Sequence, residues 1–121
     1  MRLTKESTES NVIRAWEEGR VRVGSKWLSG NLIITAEHIV TDWIEEPPEA
    51  LCLEHLVPAI ELSPEIILIG TGAETLLPDI GLLSALAERG IGAEIMTTPS
   101  ACRTYNVLIH EGRRVAIALF N

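Results

Sequence analysis

Four consecutive residues, Ile66-Ile67-Leu68-Ile69, constrain this chain more than any other stretch. Successive side chains of a strand point to opposite faces. Here both faces are apolar, the mark of a buried central strand, often a parallel one. Beyond Ile69 the chain alternates helix and strand. Pro78 to Arg89 reads as a helix: Pro78 suits the first turn, Asp79 complements the dipole and Gly90 ends it. Ala93-Glu94-Ile95-Met96 reads as a second strand. Thr98 is the expected N-cap of another helix, with Pro99 at its first position. Ala101, Thr104, Tyr105, Leu108 and Ile109 recur there at helical spacing. After a turn at Glu111-Gly112-Arg113, Val115 to Leu119 forms a last apolar strand. The strands at 66–69 and 93–96, joined by a helix, should run parallel with a right-handed crossover. The direction of the last strand stays open.

The first half is written differently. Val12 to Trp16 meets a turn signal at Glu17-Glu18-Gly19, and Arg20-Val21-Arg22-Val23 alternates strictly, as a half-buried strand does. Gly24-Ser25 and Ser29-Gly30 bracket Lys26-Trp27-Leu28. Leu32-Ile33-Ile34 and Ile39 to Trp43 are further β-branched runs. Glu45-Glu46-Pro47-Pro48 is a break, and a short helix limited by Pro58 fits Leu53 to Ile60. Residues 1–10 are polar and expected to be flexible, ahead of a single α/β domain at 11–121. A β-rich first half thus precedes β-α-β-α-β.

Charge and length exclude several functions. The 121 residues suit one domain and carry a net charge of -7. A nucleic-acid binder wants a basic surface, and so does a protein that adsorbs to anionic lipid. The N-terminus lacks a signal-peptide core, and no apolar run approaches the ~20 residues of a membrane span. Two cysteines, Cys52 and Cys102, without a CxxC pair suit a reducing compartment. The expectation is a soluble, cytoplasmic protein.

Gly-Thr-Gly at 70–72, Gly-Ile-Gly-Ala-Glu-Ile-Met at 90–96, Thr-Pro-Ser-Ala-Cys-Arg-Thr-Tyr-Asn-Val-Leu at 98–108 and Glu-Gly-Arg at 111–113 resemble one small family. It includes the mitochondrial NADH dehydrogenase (complex I) assembly factor 3 and the adipogenesis-associated domain proteins. The resemblance covers the whole chain, more strongly over 61–120 than over 11–60. It implies a three-layer α/β fold, in which a mixed central sheet carries helices on one face and an additional β layer from the N-terminal half on the other. It implies no activity and no cofactor. The chain departs from the pattern at Ser100, where relatives often have Asn, and at Thr97, where many have Asp.

The candidate ligand-binding residues are Gly70, Thr71, Gly72, Glu94, Thr97, Thr98, Cys102 and Arg103. Parallel strands would set the loops after 66–69 and 93–96 side by side, where open α/β sheets bind ligands. A helix start after Thr98 could hold an anion there. As a dinucleotide fingerprint the Gly-x-Gly fails, because Thr75 stands where the third glycine belongs. Cys102 lies beside Arg103 in the first turn, which would lower a thiol pKa; burial as a small apolar residue is the stronger reading. Tyr105 should pack inward with its hydroxyl on a backbone partner, and Asn106 should tie the helix to a neighbouring segment. Glu94, if partly buried, would pair with Arg103 or Arg113. Cys52-Leu53-Glu54-His55 resembles half a metal site whose other half is missing, so no metal is expected. Trp16, Trp27 and Trp43 should fill the space between the two β layers, and an exposed one would mark a partner surface.

These readings favour a protein-binding or assembly-factor-like module without catalysis. The alternative is a small-anion-binding protein or thiol-dependent enzyme that uses the edge formed by Gly70–Gly72 and Thr97–Cys102. A homodimer through the β-rich half is a further expectation.

Overall fold

The computed structural model describes residues 10–121, so the flexible segment expected at 1–10 lies, apart from Ser10, outside the described residues. β1 (Ile13–Glu17), β2 (Arg20–Val23) and β3 (Lys26–Ser29) form an antiparallel sheet in chain order. Gly19 and Gly24 turn the two hairpins with φ of +91° and +61°, a region that costs glycine little. β4 (Leu32–Ile34) and β5 (Ile39–Val40) begin a second sheet. It is completed by β6 (Ile66–Gly70), β7 (Gly92–Met96) and β8 (Val115–Leu119), in the order β5-β4-β8-β6-β7. The helices are α1 (Val57–Ile60), α2 (Gly81–Glu88) and α3 (Thr98–His110).

β6 lies between β7 and β8 and runs parallel to both, while β8 pairs antiparallel with β4. The direction of the last strand is thereby fixed. Ile67 and Ile69 of β6 pack on one side of the sheet with Ala116 and Ala118 of β8, beneath Leu56, Ala59, Leu82 and Leu86. Leu68, Ile117 and Leu119 pack on the other, beneath Ala101, Cys102 and Tyr105 of α3 and Ile13, Val21 and Val23 of the small sheet. Every residue of β8 is buried, as a strand covered on both faces requires.

The mixed α/β class, its central sheet and the additional β layer are as the sequence led us to expect. The helices are shared out differently: α1 and α2 cover one face, and α3 lies on the other beside the small sheet. Connectivity explains this. α2 carries the chain outward from β6 to β7, and α3 carries it back past β6 to β8. Crossovers of one hand that step in opposite directions place their helices on opposite faces.

Local boundaries differ where side chains intervene. α2 begins at Gly81 rather than Pro78. The preceding loop closes around Thr71, whose hydroxyl donates to the Glu74 carbonyl and accepts from the Leu76 amide. β5 stops at Val40, and Asp42 takes a positive φ of 50°. That turn sends Trp43 onto Phe120, ring centroids 5.1 Å apart, on the α1–α2 face. Trp16 packs against the other core, whereas Trp27 lies beneath the Arg20 guanidinium at 4.0 Å. Of the three tryptophans, only Trp16 therefore contributes to the core between the β layers, and none is fully exposed.

Candidate functional site

The loops after β6 and β7 do meet at one edge, and they are sewn to each other. The Thr71 amide donates to the Met96 carbonyl at 3.0 Å and the Thr98 amide to the Gly72 carbonyl at 2.8 Å. Thr98 is fully buried; its Oγ1 accepts from the Gly72 amide at 2.8 Å and donates to the Phe120 carbonyl at 2.8 Å. A Cβ at Gly70 would stand 3.0 Å from Thr98 Cα, so this glycine serves the close approach of the two loops.

The N-cap of α3 is Thr97, one residue before the expected Thr98. Thr97 Oγ1 accepts from the Ser100 amide at 3.4 Å, and the Thr97 carbonyl accepts from the Ala101 amide at 2.9 Å. Pro99 has no N–H to offer. The amides at the start of this helix are thus all committed inside the protein, so an anion finds no free donor among them. The two loops brought Gly70, Thr71, Gly72, Thr97 and Thr98 together as a packed joint.

Cys102 is buried, and desolvation pushes its thiol up to about 12; the nearby Arg103 charge pulls the other way and loses. Burial therefore overrides the lowering expected from helix start and guanidinium. Arg103 donates instead to Ser100 Oγ at 3.2 Å. Glu94 is exposed on β7, the edge strand, and the expected partners are engaged elsewhere: Arg113 pairs with Glu65 at 3.0 Å. Glu65 is held below the usual carboxylate range, first by the Arg114 amide and then by Arg113.

The expectations for the middle of α3 are met. Tyr105 is buried with its hydroxyl donating to the Asn11 carbonyl at 2.7 Å, and burial raises its pKa. Asn106 bonds both backbone groups of Ile13. Beside them, Arg14, Trp16, Pro99, Arg103 and Asn106 border an open hollow of about 350 Å³. A second hollow of about 350 Å³ lies between Glu45, Glu46, Thr71, Gly72 and Phe120.

One constellation was seen in the sequence only in part, as Cys52 and His55 without Glu46. His55 Nε2 lies 2.6 Å from Glu46 Oε2, while its Nδ1 lies 3.4 Å from Cys52 Sγ and 3.0 Å from the Cys52 amide nitrogen. His55 holds the Glu46 carboxyl below its usual range, chiefly through this hydrogen bond. Cys52 and His55 are three residues apart across a tight helical turn, Leu53–Leu56, and that spacing was a legible signal. Glu46 was not, because only the Pro47-Pro48 bend returns it to the ring. Among the described residues no group of three or more His, Cys, Asp or Glu is placed to hold a metal ion.

Residues 13–120 match the family model described as "Protein of unknown function (DUF498/DUF598)". The chain belongs to this family. A relative named "13 kDa major membrane protein", from Francisella tularensis subsp. holarctica, is 31% identical over 119 residues, 96% of each chain. NADH dehydrogenase [ubiquinone] 1 alpha subcomplex assembly factor 3 of Rattus norvegicus is 47% identical over 55 residues, 46% of this chain and 30% of that protein. A crystal structure of a Bordetella parapertussis protein superimposes with a TM-score of 0.85 at 34% identity, covering 94% of this chain and 98% of that one. This DUF498/DUF598 chain has no helix, among its described residues, long and apolar enough to cross a membrane.

Proposed function

We propose that this protein is a docking module that binds another protein and does no chemistry through the β6–β7 edge. The observation that carries this is an exposed apolar row on the way into α2. Leu77 is 72% exposed, Ile80 88% and Leu83 36%, spaced three residues apart. Isolated exposed apolar residues are ordinary; three exposed within seven residues of one segment leave more apolar area in water than is usual for so short a stretch. The protein's net charge of -7 favours a partner with an apolar face and a basic rim. The relative named as an NADH dehydrogenase assembly factor supports a membrane-complex subunit as that partner. Such docking would reconcile a cytoplasmic chain with a relative named as a membrane protein. The competing reading, a small ligand at the edge of Gly70–Gly72 and Thr97–Cys102, has less support, because Thr98 occupies that edge.

The test uses an Ile80→Glu variant, which adds charge at a solvent-facing position and should leave the melting temperature unchanged. Wild-type protein mixed with solubilised respiratory complexes should retain a defined subunit, and the variant should lose it. Retention by both would sink the assignment of this surface. Sedimentation of the chain alone decides the remaining case: a dimer that Ile80→Glu dissociates makes a second copy the partner.

A further inference from the structure

β7 is an edge strand whose outer side has no partner among the described residues. In a parallel pair, alternate residues turn both backbone groups toward the neighbouring strand, and the residues between them turn both away. The Gly92 amide donates to the Glu65 carbonyl at 3.0 Å, and the Met96 carbonyl accepts from the Thr71 amide at 3.0 Å. Gly92, Glu94 and Met96 therefore bond to β6, and Ala93 and Ile95 present their N–H and C=O groups outward. The other strand edges are blunted. β5 is two residues long, Asn106 occupies the Ile13 backbone at the edge of β1, and β3 carries Lys26. β7 has five residues, no proline and no bulge in its register. Unpaired backbone groups in such a row are a template for one more strand.

We infer that β7 adds an extended segment of a partner protein to the central sheet, with a basic residue opposite Glu94 and apolar residues on either side of it. The inference rests on the docking reading and gives that partner its form. The two faces of β7 set the pattern. Ala93 and Ile95 pack with the core beneath α2, so strand residues opposite them lie on that face, where α2 also carries its exposed Leu83. Glu94 alternates with them and shares the other face with Met96, whose Sδ accepts from Thr104 Oγ1 at 3.7 Å. Glu94 is exposed and has no ion-pair partner among the described residues.

Glu94 also decides between the strands that could sit there. A second β7, paired antiparallel so as to use every outward group, would set Ala93 against Ile95 of the other copy and Glu94 against its own counterpart. Like charges directly opposite destabilise a strand pair. A strand with Lys or Arg at that position turns the repulsion into attraction. A guard against aggregation would account for a charge on the edge. Glu94, however, guards only against its own copy and against acidic strands, and leaves a basic one favoured. The net charge of -7 acts in the same direction over a longer range.

The experiment titrates the ¹⁵N-labelled protein with the peptide acetyl-Ser-Thr-Val-Lys-Val-Thr-Ser-amide up to millimolar concentration. In the free protein the Ala93 and Ile95 amides should exchange with solvent faster than those of Glu94 and Met96. The peptide should shift the Ala93 and Ile95 amides most and slow their exchange. The same peptide with Glu in place of Lys should bind about fivefold more weakly at low salt, the order expected when one favourable cross-strand pair becomes an unfavourable one, and the gap should close at high salt. Glu94→Lys should reverse the order of the two peptides. Ala93→Pro removes an outward N–H that β6 does not use and should abolish binding; if it unfolds the chain, the wild-type shift map and exchange rates decide alone. Ala93 and Ile95 amides already protected in the free protein, shifts centred elsewhere, or no shift at all would overturn the assignment. Equal affinity for the Lys and Glu peptides at low salt would overturn the basic partner. In the capture of a respiratory subunit, loss by both Ala93→Pro and Ile80→Glu supports the edge. A subunit kept by Ala93→Pro but lost by Ile80→Glu removes the edge and leaves the docking reading standing; peptide binding at β7 with no subunit captured by the wild type does the reverse.

Discussion

Asn106 holds both backbone groups of Ile13: its Oδ1 accepts from the Ile13 amide at 3.0 Å, and its Nδ2 donates to the Ile13 carbonyl at 2.8 Å. One side chain in mid-helix thus acts as an extra strand partner for β1 and joins α3 to the small sheet. Helix-interior Asn is unfavourable on propensity alone, and here the tertiary bonds account for it.

Replacing Asn106 by Ala should leave that amide and carbonyl with water at best. We expect a loss of about 2 kcal/mol, the scale of two partly buried hydrogen bonds. Urea unfolding should show a lower midpoint with an unchanged slope. A loss below about 0.5 kcal/mol would mean that the clasp is ornamental.

Thr98→Val keeps the shape of the joint between β6, β7 and the residues after β8, and removes only the hydroxyl. The Gly72 amide and the Phe120 carbonyl then lose their shared partner. Each orphaned buried group costs about 1–3 kcal/mol, so the variant should be destabilised by at least about 2 kcal/mol. Thr98→Ser retains the hydroxyl and should be far milder. Denaturation of the pair separates the hydrogen bonds from the methyl group.

Cys102 gives the fold a dependence on alkaline pH. Its pKa rises from an ordinary 9.0 to about 12 on folding. Below pH 9 both folded and unfolded chains keep the proton and nothing is lost. Between 9 and about 12 the unfolded thiol ionises while the folded one does not, so stability falls as pH rises, by at most about 1.4 kcal/mol per pH unit. Burial of Tyr105 acts in the same direction at higher pH. Unfolding free energies of Cys102→Ala should fall less steeply than those of the wild type between pH 9 and pH 11. Parallel curves would place the alkaline sensitivity elsewhere.

The strand-helix alternation of the second half was legible because each element carries its own period: Ile66 to Ile69 apolar on both faces, Ala101 to Ile109 at helical spacing. The inward Tyr105 and the tethering Asn106 were legible for the same reason, being polar groups on a packed face that had to find partners. The faces on which the helices lie were not, because strand order, rather than any local pattern, decides them. Nor was the closure of the β6–β7 edge. Thr97 and Thr98 have the same side chain, and only the approach of Gly72 and Phe120 tells which one caps the helix and which one is buried. His55 was visible beside Cys52, but its carboxylate comes from across two prolines.

β8 is made after every other strand described, yet it sits between β4 and β6. During synthesis the earlier strands of the central sheet are therefore left with facing edges and no common neighbour until residues 115–119 clear the ribosome. Folding of the sheet is in this sense a single late event, and nascent chains stalled short of Val115 should be the species that chaperones and proteases meet.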